Sequence, residues 1–479
     1  MTRSGTHQQS SLAERIAKLV SQLQSRGVIF SDGVQAQEIP GRGIGVIACR
    51  MVPAGEQIVQ FPVTSLLNPR TAKAALLREV SDGGADAACS MFTPTATPNR
   101  EEATARKRRR RDASVKTQAG KYASLLDSLS SHQLLAYYLY RARLRRDSDW
   151  NSFLDVLPTL DTFGGLPLVW AVLDHGRKRF LDYLPANTYE HAARMSKQFW
   201  GDLSAVRSIF ANVEDVELFI WAWLCVNSRC LYYYMAEAPT SSDCMTLAPV
   251  VDFLNHSDDE HCSIQIYDGA LATKFFGLVT TRSYDVGDEI CLSYGAHTNS
   301  FLLCEYGFTL AVNKNTELDI TAELLAILKC SRRTSRCHSD SEGAEIESPK
   351  LAFLEAHGYL GDYTLSLDTI SYRTEVALAV SQVREEVCRE PTGDDEPRAR
   401  TLERSQLKAF ISGMANGSKF KARSTATLNT ILDDVVKNCD IMLAKANDDV
   451  ECGGETRENI VRLYNERKQI ACSHLRPHR

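Results

Sequence analysis

Asp252-Phe253-Leu254-Asn255-His256 is the stretch on which the reading of this chain turns. On either side the pattern is β: Thr246 to Val251 leads in, Cys262 to Tyr267 and Leu271 to Thr281 alternate after it, and Glu289 to Tyr294 ends the run. Three polar residues therefore interrupt an apolar strand region. Buried Asp, Asn and His groups cost ~1–3 kcal/mol each unless they find hydrogen-bond partners. The pentapeptide is thus a buried polar knot, a ligand site, or both.

An earlier β block stands far upstream. Gly41-Arg42-Gly43-Ile44-Gly45-Val46-Ile47-Ala48 runs into a turn at Val52-Pro53-Ala54-Gly55-Glu56 and a second apolar run, Gln57 to Val63, which predicts a hairpin. The glycines are spaced Gly-x-Gly-x-Gly and lead into a strand, whereas a dinucleotide fingerprint leads into a helix, so a Rossmann enzyme is disfavoured. A glycine-rich turn and a ligand loop both remain open, because glycine serves either. Asp285-Val286-Gly287-Asp288-Glu289-Ile290 repeats the Gly-acid turn of the first block, so the two blocks are expected to share one β domain.

Between them the periodicity is helical. Leu134, Leu135, Tyr138, Leu139 and Ala142 share one face, and the pattern continues in pieces through Phe199 and Val206 to Val213–Tyr234. The last helix ends in Asn227-Ser228-Arg229, and an arginine leaving an apolar helix calls for an anionic partner. At the start of the chain, Ser11-Leu12-Ala13-Glu14 has the form of a capping box, followed by Leu12, Ile16, Leu19, Val20 and Leu23 at helical spacing until Gly27. At the other end, after a charged stretch from Ser331 to Ser348, helices are predicted at Leu351–Ala356, Thr374–Cys388, Leu402–Ile411, Leu428–Leu443 and Ile460–Ala471. These make a separate all-helical unit.

A chain of 479 residues with 44% hydrophobic residues and a net charge of -5 reads as a soluble, mildly acidic globule, not a dedicated nucleic-acid binder. The longest apolar run, Leu218 to Val226, is about half of the ~20 residues a membrane span requires. Met1 to Ser10 has no signal-peptide core, so an intracellular protein is expected, cytoplasmic or nuclear. The 14 cysteines are scattered without Cys-x-x-Cys pairs and read as free thiols; Cys330, Cys337 and His338 lack a fourth ligand nearby, and no metal is expected. Residues 81–120 carry the run Arg106-Lys107-Arg108-Arg109-Arg110-Arg111 without apolar periodicity and read as a disordered insertion. Such a run suits nucleic acid or a nuclear address, though most are simply solvated.

Taken together, the order of these pieces resembles a SET-domain protein methyltransferase of the group that includes the Rubisco large-subunit lysine methyltransferase and its animal and fungal relatives. The resemblance rests on Gly41-Arg42-Gly43-Ile44-Gly45, Asn227-Ser228-Arg229, Asp252-Phe253-Leu254-Asn255-His256, Leu292-Ser293-Tyr294-Gly295, Glu305-Tyr306-Gly307-Phe308 and the helical tail. It implies an α+β fold, with a SET-type β-fold whose C-terminal segment is threaded as a pseudoknot. The implied division is an N-terminal helix over 1–30, a SET domain over 31–310 with a helical insert over 121–240, and a C-terminal helical domain over 320–479 that docks the substrate. The implied cofactor is S-adenosylmethionine, bordered by Arg42, Gly43, Ile44, Arg229, Asp252, Asn255, His256, Tyr306 and Phe308. Within that set the resemblance gives Arg229 the cofactor carboxylate and Phe308 the adenine, with Tyr294 as the catalytic tyrosine.

The implied activity is lysine N-methylation of a protein substrate, such as a ribosomal protein, a translation factor or a histone, by a monomer with no membrane or nucleic-acid partner. A histidine methyltransferase of the same fold and a catalytically silent scaffold are the competing readings. The intact Tyr294, Asn255, His256 and Arg229 argue against the silent one.

Overall fold

A computed structural model describes residues 10–475 except 83–119, 147, 174–175, 211, 236–237, 239, 260, 269–273, 330–347 and 390–396. The basic run and the Cys330, Cys337, His338 group lie outside the described residues. The chain divides into two compact units. The first comprises residues 1–176, 192–296 and 305–307, and the second 177–191, 297–304 and 308–479.

The first unit opens with the helix Leu12–Ser25, whose capping box forms as the sequence requires: Glu14 N–H donates to Ser11 Oγ and Ser11 N–H to the Glu14 carboxylate. Ile16, Leu19 and Leu23 are its buried face. Among the described residues nine strands follow: β1 (Ile29–Phe30), β2 (Val34–Ile39), β3 (Gly43–Ala48), β4 (Gln57–Pro62), β5 (Leu231–Tyr232), β6 (Met245–Thr246), β7 (Cys262–Asp268), β8 (Lys274–Thr280) and β9 (Glu289–Ile290). They form a four-stranded sheet in the order β1-β4-β8-β7, a three-stranded sheet β2-β3-β9 and the small pair β5-β6.

This topology corrects the predicted hairpin. β3 pairs with β2 and β9, and β4 pairs with β1 and β8, so the turn after Ala48 carries the chain from one sheet to the other. The Asp285–Asp288 turn makes the same crossing between β8 and β9. The two turns are tied together: Val52 bridges Tyr284, Gly55 N–H donates to Thr280 O, and Gly287 N–H donates to Ala48 O. Gly55 and Gly287 have φ of 85° and 92°, which only glycine adopts without strain.

The helical insert packs Ser131–Arg145 against Val216–Arg229. Leu134, Leu135, Tyr138, Leu139 and Ala142 are buried as predicted, and so is every residue from Phe219 to Val226. Asp215 caps the second helix by accepting from Leu218 N–H, and two indoles pin it: Trp221 Nε1 donates to Pro158 O and Trp223 Nε1 to Asp202 Oδ2. A helix fixed at its start and middle delivers its last turn, and Arg229, to a defined place.

The second unit is mainly helical. Its longest helices, Ser418–Asp448 and Gly454–His474, pack side by side through Leu428, Leu432, Val435 and Cys439 on one and Ile460, Leu463, Tyr464 and Ile470 on the other. Tyr372–Gln382 and Arg398–Ile411 belong to the same unit, and β10 (Leu318–Asp319) pairs with β11 (Thr364–Leu365). Among the described residues no helix is long and apolar enough to cross a membrane.

Candidate active site

The pentapeptide does not continue a strand. β6 stops at Thr246, Val250 takes φ 77°, and Val251–Phe253 closes a single 3-10 turn. The expectation of strand up to Val251 is therefore wrong, and the cause is visible: the positive φ at Val250 breaks the extended path. Past the turn the chain runs beside the segment after β9, with His256 and Leu292 in parallel register. Leu292 N–H donates to Asn255 O at 2.9 Å and Ser257 N–H to Leu292 O at 3.3 Å. Tyr294 N–H then donates to His256 Nδ1 at 3.1 Å. That bond leaves the ring proton for Nε2, which lies 3.3 Å from Asp258 Oδ1.

A cavity of about 230 Å³ opens beside this crossing. Its walls include Ser228, Arg229, Tyr232, Asp252, Leu254, Ile264, Leu292, Tyr294 and Tyr306. Tyr294 donates its hydroxyl proton to Leu254 O at 2.8 Å, and its ring lies 4.8 Å from that of Tyr306 and 5.1 Å from that of His256. Burial pushes the Tyr294 phenol well above its ordinary range and that of Tyr306 up to about 12, so both remain neutral. Cys230 in the same wall is likewise held as a thiol by burial, which removes a thiolate nucleophile from the site.

Arg229 finds its anion within the chain. Its Nη1 donates to Asp252 Oδ2 at 3.1 Å and to Asp252 O at 2.9 Å. The Asp252 side chain is 0% exposed, and burial raises its carboxyl while Arg229 pulls the other way. The pair is incompletely satisfied: Arg229 Nε and Asp252 Oδ1 are buried without a hydrogen-bond partner among the described residues. One is a donor and one an acceptor, and both belong to residues that line the cavity.

The remaining sequence candidates lie elsewhere. Arg42, Gly43, Ile44, Asn255 and His256 do not line the cavity. Gly43 has φ 72° at the start of β3, and Arg42 reaches Glu289 Oε2 and donates to His256 O at 3.2 Å. Asn255 Nδ2 donates to Glu289 Oε1 at 2.8 Å. Phe308 falls in the second unit and is half-buried. Sequence reasoning missed Glu289, Asp258 and the Leu254 carbonyl. Glu289 opens β9 straight after a turn with two other acids, Asp285 and Asp288, and nothing local singles it out; a backbone acceptor carries no side-chain signal at all.

Comparison with known proteins agrees with this architecture. The family described as "SET domain" matches residues 43–295, and "Ribosomal lysine N-methyltransferase 2 C-terminal domain" matches residues 317–477. Ribosomal lysine N-methyltransferase 2 of Saccharomyces cerevisiae is 28% identical over 390 residues, covering 73% of this chain and 74% of that protein. Ribosomal lysine N-methyltransferase set11 of Schizosaccharomyces pombe is 31% identical over 222 residues, 46% of this chain and 50% of that one. The solved SET domain of LSMT bound to lysine and AdoHcy superposes with a TM-score of 0.58 at 16% identity, covering 97% of this chain and 91% of that chain, which is a likeness of fold. With the strand order, the parallel crossing at His256 and Leu292, and the family match over 43–295 all in agreement, the chain belongs to the SET-domain family.

Proposed function

We propose that this protein is an S-adenosylmethionine-dependent protein-lysine N-methyltransferase whose substrate is a ribosomal protein. The observation that carries the reading is the Tyr294 hydroxyl, held in the cavity wall by Leu254 O next to the half-satisfied Arg229–Asp252 pair. The donor set fits the cofactor: an amino-acid end bears a carboxylate and an ammonium, and Arg229 Nε and Asp252 Oδ1 are one matching donor and one matching acceptor. When bound, S-adenosylmethionine supplies an electrophilic methyl group on a cationic sulfur.

The chain's own residues do the positioning. Because Tyr294 gives its proton to Leu254 O, its oxygen turns lone pairs toward the cavity and can orient an incoming amine. A neutral phenol is no general base, so the amine must arrive without its proton. At pH 7 a lysine of ordinary pKa is neutral about once in 2,500, a cost of roughly 4.6 kcal/mol. The apolar side chains of Leu254, Ile264 and Leu292 lower that cost by disfavouring the ammonium. The neutral amine would offer its lone pair to the methyl group that a bound S-adenosylmethionine would supply, the one proton having gone to solvent when the ammonium was deprotonated.

The reading of the second unit as the substrate-docking domain draws on its match to the C-terminal domain of a ribosomal lysine methyltransferase. The experiment is to incubate the purified protein with methyl-labelled S-adenosylmethionine and ribosomal subunits, then map the label by mass spectrometry. Label on a lysine of a ribosomal protein is expected. Label on histidine, or none in any protein fraction, would overturn the assignment.

A further inference from the structure

Tyr306 stands in the cavity wall, yet its neighbours in sequence belong elsewhere. It ends the helix Asn299–Tyr306, of which residues 299–304 belong with the second unit and 305 and 306 with the first. From Phe308 the chain belongs with the second unit again. Ordering the segment Glu305, Tyr306 and Gly307 costs backbone entropy, about 1–2 kcal/mol per residue, so it needs contacts of its own to keep its place.

Glu305 supplies one. Its Oε2 accepts a hydrogen bond from Asn227 Nδ2 at 2.7 Å, in a half-buried setting. Asn227 lies on the last turn of Val216–Arg229, the helix pinned by its two indoles, and the next two residues, Ser228 and Arg229, line the same cavity as Tyr306. The bond therefore joins two walls of one cavity, one on the pinned helix and the other on the three-residue segment. An amide donating to a carboxylate is charge-assisted and directional, so it fixes where the segment sits. Gly307 completes the fit: at φ 87° it carries no Cβ, and one placed there would stand 3.3 Å from Leu166 Cγ. The ring of Tyr306 is then 4.8 Å from that of Tyr294. Arg229 has a separate anchor in Asp252, so the pair that faces the cofactor does not depend on Glu305.

We propose that Asn227 and Glu305 are positioning residues for the substrate amine: their hydrogen bond latches Tyr306 into the wall beside Tyr294 and so fixes the space the amine enters. The inference rests on the functional reading given above. Asn227→Asp is nearly isosteric and sets two carboxylates against each other where the bond stood. On ribosomal subunits its kcat is expected to fall about tenfold, on the scale of one lost charge-assisted bond. Affinity for S-adenosylhomocysteine by isothermal titration, and the KM for S-adenosylmethionine, should hold. Adding Glu305→Gln rebuilds the pair with the roles exchanged, the introduced amide now donating to the introduced carboxylate, and should return kcat to the parental value. A residue that served only overall stability would not be rescued by that one partner.

Hydrogen exchange reads the latch without turnover. The amides of Glu305, Tyr306 and Gly307 should exchange about tenfold faster in Asn227→Asp and at the parental rate in the double variant. If Asn227→Asp does not fold, Asn227→Ala removes the donor without adding a charge, and the same loss is expected. Parental kcat and exchange in whichever single variant folds overturn the proposal. So does a loss that the second substitution leaves unrecovered, or one shared equally by S-adenosylhomocysteine affinity. Failure of the unaltered protein to bind S-adenosylhomocysteine or to label any protein overturns the functional reading, and with it the amine's part in this proposal, whereas the exchange rates report on the latch in either case.

Discussion

Tyr294 is where the chemistry is most exposed to a one-atom test. Tyr294→Phe keeps the ring against Tyr306 and His256 and removes the hydroxyl that reaches Leu254 O. The orphaned carbonyl should cost about 1 kcal/mol of stability, and cofactor affinity should persist. The rate of methyl transfer should fall ~10²–10³-fold, as for other groups that act by orientation and polarity in the transition state. Single-turnover kinetics on an identified substrate check this, and a near-normal rate would remove Tyr294 from the reaction. At this scale the sequence was legible where a residue's chemistry is unusual for its surroundings. Arg229 at the end of an apolar helix did require an anion, and Asp252 inside an apolar stretch did require a partner; they are each other's. Asn255 and His256 stood out for the same reason, yet their side chains turn to Glu289 and Asp258, because a polar residue among apolar ones announces a partner without saying which.

Among the elements, amphipathic helices were the most readable, since burial of one face follows directly from spacing. The helix Leu12–Ser25 and its capping box formed as predicted, and the buried face of Ser131–Arg145 is the one the spacing marked. Strand pairing was not readable in the same way. A Gly-acid turn between two apolar runs looks identical whether the runs pair with each other or part into different sheets, because the partner strand is chosen by contacts far along the chain. Here both such turns are crossings, braced by Val52 and Tyr284. Their glycines are therefore a stronger constraint than in an open loop. Gly287→Ala should destabilise the protein by ~1–2 kcal/mol, because alanine must hold φ near 92° while its N–H stays bonded to Ala48 O. Among the described residues no atom outside its chain neighbours lies within 4 Å of the added Cβ, so the loss is one of backbone strain. Urea denaturation measures it, and a midpoint unchanged from the parent protein would show that the turn relaxes freely.

For the whole molecule, the change from β to helical periodicity marked the separate C-terminal helical unit, while the segments 177–191 and 297–304, which belong with the second unit, carry no compositional mark of that allegiance. The second unit contains a carboxyl out of its ordinary range. Burial pushes Glu466 up to about 7, against the weaker opposing influence of the Asn299 hydrogen bond and Arg462. The folded state thus keeps a proton that the unfolded chain releases near 4.5, so this group's contribution to stability is greatest at low pH and declines as pH rises toward and through 7. The expected decline is about 1–2 kcal/mol, reduced from the full shift because the group still meets solvent. Glu466→Gln should flatten it, and denaturation curves between pH 5 and pH 8 make the comparison; an equal slope in both proteins would place the charge elsewhere. The parallel crossing of His256 and Leu292 has a kinetic meaning as well. Tyr294 reaches the imidazole of a residue thirty-eight positions earlier, and that contact waits on the β7–β8 ribbon and the turn to β9 being in place. In a refolding chain the indole fluorescence of Trp221 and Trp223, set by helix packing within the insert, should return first. The capacity to hold an adenosyl ligand should return last, so a partly folded population of this enzyme would be visible to spectroscopy and silent toward its cofactor.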